Sequence, residues 1–213
     1  MRLLDYLRLR LLRPKPRFTG VAPPRRPKSY IGPKPRQVHV QSYMCNDCVA
    51  VAVANALRSV YPDWRPKVRE TFIHHGGTCL AGVEISTFLS FGSFYGENYD
   101  VLFKYRIAGQ LEFERLLTQR WLGIVTVKAF PSFLMHRKGT YRPFSFELRM
   151  WGIVPEHAVY VYGYDEKTYH VINAYPNWGE NYEGKLVKWA VTGYYLLKPV
   201  SPEPSWPCRG DNG

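Results

Sequence analysis

Acidic side chains are scarce in this 213-residue chain: seventeen Asp and Glu stand against twenty-nine Lys and Arg, a formal net charge of +12. Such an excess points to an acidic partner, whether nucleic acid, an anionic membrane or an acidic protein surface. Long apolar runs are also lacking. None approaches the roughly 20 residues that a membrane helix needs, and the N-terminal stretch from Leu3 to Leu12 is broken by Asp5, Arg8 and Arg10. Neither a transmembrane segment nor a standard secretory signal is therefore expected, and localisation stays open. Cysteine is sparse as well. Cys45, Cys48, Cys79 and Cys208 are too few for a disulfide scaffold.

What is present is enough to fold. With 46% hydrophobic and 15% aromatic residues, the chain is expected to bury one core, flanked by tails. Residues 1–40 carry eleven basic side chains against the single acid Asp5, together with seven prolines from Pro14 to Pro35. Proline denies this stretch a helix beyond its first turns and favours an extended, polyproline-like arm. Leu4, Leu7 and Leu11 at helical spacing leave open a short amphipathic helix at its start. Zinc-finger spacing is missing and only Tyr6, Phe18 and Tyr30 offer rings for stacking, so sequence-specific nucleic-acid recognition is not expected. The tail from 199 to 213 is Pro-rich and reads as a second loose end.

Between the tails, the segment from Gln41 to Leu57 places a thiol at the start of an apolar helix. Asn46 and Asp47 are good N-cap residues, and from Cys48 small apolar residues run to Val60 without Gly or Pro. A thiol on the positive end of a helix dipole is biased toward thiolate, the nucleophilic form. Short helices are expected over Lys67 to Ile73, Gly82 to Phe91 and Gln110 to Gln119. Strands are expected from Tyr99 to Arg106, Leu122 to Ala129, His157 to Tyr164, Thr168 to Asn173 and Tyr194 to Lys198, and residues 130–155 read as a long hairpin or loop. Helices first and strands second give an α+β protein. His74, His75 and Cys79 with Cys45 and Cys48 supply soft ligands, but no second compact pair completes a zinc pattern, and a Cys45 to Cys79 bridge is an alternative use of two of the thiols. No metal or organic cofactor is expected.

The thiol acquires partners late in the chain. His157 opens a strand and Asn173 ends the next one. A histidine beside a thiol takes its proton, and an amide oxygen on the far ring nitrogen fixes the ring's orientation. Gln41, Cys45-x-x-Cys48 opening a helix, His157-Ala-Val with Gly163-Tyr164, and Asn173 followed by Trp178-Gly179-Glu180-Asn181 resemble the papain-like cysteine peptidases, in their looser bacterial and viral branches. The resemblance runs in motif order from Gln41 to Lys198. It implies a two-lobed fold, a helical lobe and an antiparallel β lobe with the site between them, over 41–198. It also implies Cys48 as nucleophile, His157 as general acid and base, Asn173 as orienting residue and Gln41 in the oxyanion hole. Trp178 would shield the Asn173 to His157 hydrogen bond, with Tyr175 sharing that task.

The sequence departs from the family pattern at several points. Gln41 stands one residue farther from Cys48 than usual, Val49 replaces an aromatic residue, and Ala174-Tyr175-Pro176 follows Asn173. The resemblance implies a peptide or protein substrate. The basic arm motivates a second reading, a papain-like structural or adaptor component anchored in a larger assembly such as a virion or secretion machine, with residues 1–40 on an acidic surface.

Overall fold

The computed structural model of the chain describes residues 27–41, 47–78, 83, 85, 88–89, 103–128, 140–141, 156–174 and 182–199. The early basic arm to residue 26, the 130–139 and 142–155 stretches, Cys45, Cys79, Cys208, Tyr175 and Trp178 lie outside the described residues, as does the tail from 200.

The helical part is organised around α1, Cys48–Arg58, every residue of which is buried. Its Val and Ala side chains are small enough for neighbours to close on all sides, which suits a helix enclosed by the fold rather than lying on its surface. Asp47 occupies the N-cap position, although its side chain makes no capping hydrogen bond. Ser59 and the Tyr61-Pro62 turn end the helix. A second short helix, α2 (Val68–His74), packs Phe72 and Val68 against α1, and Ile85, Phe88 and Leu89 add further buried apolar side chains.

The β part is a single eight-stranded sheet. Its strands are β1 (Tyr30–Ile31), β2 (Phe103–Ile107), β3 (Leu122–Lys128), β4 (Thr140–Tyr141), β5 (Glu156–Tyr164), β6 (Thr168–Ile172), β7 (Glu183–Val187) and β8 (Val191–Pro199). The order is β2-β8-β3-β5-β6-β7-β4, with β1 joined to β5. Every pairing is antiparallel except β4 with β7. Period-two alternation sends Ile124, Ala158, Tyr160 and Ile172 toward α1, and sends Val125, Val127, Val159 and Val171 into a second core. That second core is closed by α3 (Gln110–Leu117), whose Phe113, Leu116 and Leu117 are buried.

One polar cluster crosses this second core. Glu114 of α3 accepts hydrogen bonds from Tyr169 Oη at 2.9 Å and Gln110 Nε2 at 3.3 Å, and lies 2.9 Å from Lys188 Nζ. Lys188 belongs to the 3-10 turn Lys188–Ala190 and also stands over the rings of Tyr164 and Tyr169.

Residues 27–41 differ from the solvated arm expected up to residue 40: they run as an extended strap against the body. β1 pairs with Tyr164 and Gly163 of β5, and the Gly32 amide donates to the Tyr162 carbonyl. The Tyr160 and Tyr164 hydroxyls donate to the carbonyls of Pro33 and Pro27 at 2.7 and 3.3 Å. Lys34 pairs with Glu183 at 2.7 Å. Gly163 lies inside β5, where a Cβ would sit 2.5 Å from the Tyr30 carbonyl oxygen. Only glycine lets the strap approach that closely.

Candidate active site

Three of the four residues expected at the site sit on elements that meet, and the fourth approaches along the strap. Cys48 is the first residue of α1 and a free thiol. His157 is the second residue of β5, and Asn173 immediately follows β6, the strand beside it. Gln41 ends the strap, where its amide donates to the carbonyl of Ala174 at 2.7 Å, one residue beyond Asn173.

His157 Nε2 lies 3.0 Å from Asn173 Oδ1. An amide oxygen only accepts, so Nε2 carries the proton and donates, which leaves Nδ1 of the neutral ring as the basic nitrogen. Asn173 is itself fully buried, and its backbone N–H donates to the Tyr182 carbonyl at 2.9 Å. The Cys48 sulfur in turn accepts a hydrogen bond from the backbone amide of Ala158, the residue after His157, and from the amides of the first helical turn. Cys48 and the backbone beside His157 therefore meet where α1 packs on β5. The Ala158 amide was not legible in the sequence, because a backbone donor has no residue signature.

The charge state differs from the expectation. The helix start was expected to favour thiolate, but Cys48 keeps 8% of its surface and His157 3%. Burial pushes the thiol up to about 11. The amides of Ala158, Val49 and Cys48 pull against that shift, and the neighbouring Asp47 carboxylate adds to it. Burial likewise pushes His157 down to about 4, against the opposing hydrogen bond to Asn173. Desolvation outweighs the helix end, and for each group burial favours the neutral form, thiol and imidazole.

Both shifts carry a stability signature. Below the ordinary histidine value of 6.5 the unfolded chain takes up a proton that folded His157 refuses. Stability therefore falls as pH drops from 6.5 to about 4, by about 3 kcal/mol in all. Above 9 the unfolded thiol ionises while folded Cys48 does not, so stability falls again toward pH 11. Urea unfolding across pH should show this, and the acid-side loss should shrink in His157→Gln; an unchanged acid limb in that variant would assign the loss to other groups.

Three other histidines have local roles. His75 Nδ1 contacts the Thr71 carbonyl, His170 stands 3.4 Å from Asp165, and the backbone of His39 is held by Asn55. Among the described residues, no three of His, Cys, Asp and Glu group as metal ligands, and no helix is long and apolar enough to cross a membrane.

A central helix opening on a cysteine, packed on an antiparallel sheet that presents the histidine and asparagine, is the α+β architecture of the papain-like cysteine proteases, and this chain has that fold. Three solved structures similar to it are cysteine proteases or a protease precursor. Xylellain from Xylella fastidiosa matches with a TM-score of 0.63 at 15% identity, over 83% of this chain and 88% of that one. Procathepsin B S9 from Trypanosoma congolense gives 0.61 at 14%, over 83% and 79%. The Carica candamarcensis protease CMS1MS2, solved in complex with E-64, gives 0.56 at 14%, over 81% and 99%. No protein-family model and no curated protein sequence matches the chain.

Proposed function

We propose that the protein is a cysteine peptidase acting on peptide or protein substrates through Cys48, His157 and Asn173. The observation that carries this reading is the junction itself: the Cys48 sulfur rests on the Ala158 amide while Asn173 ties down the far nitrogen of the adjacent His157. Burial favours the neutral thiol and imidazole, so proton transfer accompanies attack. His157 Nδ1 takes the thiol proton as sulfur bonds to the substrate carbonyl carbon, and the carbonyl electron pair moves onto oxygen. The Cys48 amide, one of the helix-start donors, and the Gln41 side chain receive that oxyanion. Collapse breaks the C–N bond, and the imidazolium returns its proton to the leaving amine. Water then adds to the thioester with His157 again as base, the C–S bond breaks, and the acid product leaves as the thiol regains its proton.

The reading is tested by incubating the full chain with a library of denatured protein and sequencing the new termini by mass spectrometry. New termini that appear with the native protein and are absent with Cys48→Ala are expected. Termini produced equally by both proteins would trace to a contaminant and remove the proposal, and so would their absence from both.

A further inference from the structure

Gln41 has no regular element of its own to hold it, yet an oxyanion donor has to be fixed to within a fraction of an ångström. The strap solves this through α1. Asn55 is 1% exposed, and its side chain grips both backbone groups of His39. Its carbonyl accepts from the His39 amide at 2.8 Å and its NH2 donates to the His39 carbonyl at 2.9 Å. Two residues earlier on the strap, the Gln37 side chain accepts a hydrogen bond from Arg58, one turn later on α1. The strap therefore runs antiparallel to α1, toward the end where Cys48 lies.

The distances close. Asn55 is seven residues from Cys48, two turns along the same helix face, which places them about 10.5 Å apart along the axis. Two extended residues carry the strap from His39 to Gln41, about 6.6 Å in the same direction. The remaining gap of about 4 Å is within the reach of a glutamine side chain. Beyond Asn55, the Gln41 amide is tied to Ala174 on the β side. Gln41 is thus held from both lobes.

We propose that Asn55 is a positioning residue that sets the reach of Gln41 toward the Cys48 site by fixing the backbone of His39. The proposal rests on the peptidase reading for its kinetic consequence, but its structural core stands independently. Asparagine is required because it both donates and accepts; Asp keeps the acceptor and loses the donor while conserving volume.

Two measurements decide it. The first is a kinetic cycle on a cleaved peptide with Asn55→Asp, Gln41→Ala and the double variant. Asn55→Asp should lower kcat with KM little changed, by no more than the roughly hundredfold to thousandfold loss of an oxyanion donor. In the Gln41→Ala background it should add almost nothing. Multiplying effects would mean that Asn55 acts elsewhere and would overturn the proposal. The second is backbone hydrogen exchange on native protein and Asn55→Asp. The Gln41 amide should exchange faster in the variant while the Gly32 amide, on the β5 side of the strap, keeps its rate. An unchanged Gln41 rate would also overturn it. If the native protein cleaves nothing, the peptidase reading falls while exchange still decides whether Asn55 holds Gln41.

Discussion

Replacing His157 by alanine is expected to lower kcat/KM by about three to four orders of magnitude and to change the shape of the pH profile. With the thiol at about 11, only about one sulfur in ten thousand is ionised at pH 7 unless a base takes its proton during attack. The native protein avoids that limit because His157 Nδ1 accepts the proton as the bond forms. Its activity should span a broad plateau between the histidine limb near 4 and the thiol limb near 11. In His157→Ala the reactive fraction is set by the thiol alone, so residual activity should climb roughly tenfold per pH unit from 7 to 10. Steady-state rates on one peptide across pH would reveal it. A variant that keeps the native profile would remove His157 from the reaction.

The second large effect concerns stability. Lys188→Met should cost about 3 to 5 kcal/mol, because it withdraws the cation from a carboxylate enclosed in the second core. The Tyr169 and Gln110 hydrogen bonds to Glu114 remain, but they do not replace a charge. Removing both charges in Glu114→Gln with Lys188→Met should recover most of the loss, since a neutral amide keeps partners and leaves no buried ion. Urea midpoints of the two single variants and the double would test this. Additive single effects would mean that the two charges do not stabilise one another.

Much of the layout was legible locally. The change from helical to period-two patterning near Tyr99 gave the α+β order, and α1, α3, β3, β5 and β6 fall within a residue or two of their expected bounds. Cys48, His157 and Asn173 were picked out by residue type at element ends, and the structure brings those elements together. Elements that escaped notice depend on distant partners. β7 is a five-residue strand containing a glycine and a lysine, and β1 has two residues whose pairing exists only because Gly163 admits them. The strap was hidden by its prolines. Proline removes an amide donor but not its carbonyl, and Tyr160 and Tyr164 use those carbonyls across more than a hundred residues of sequence. The thiol's charge state was illegible for a related reason: a helix start is visible in sequence, whereas the enclosure that overrides it is assembled from both lobes.

The strap also bears on how the cleft moves. It is sewn to β5 at Tyr30 and Gly32, to α1 at Asn55, and to the β side again at Ala174. A motion that swung α1 away from the sheet would have to break some of these hydrogen bonds. The strap accordingly couples α1 to the strands that carry His157 and Asn173. Separating α1 from the sheet would therefore begin with the strap, and exchange of the His39 and Gln41 backbone amides would report that opening before any other part of the site.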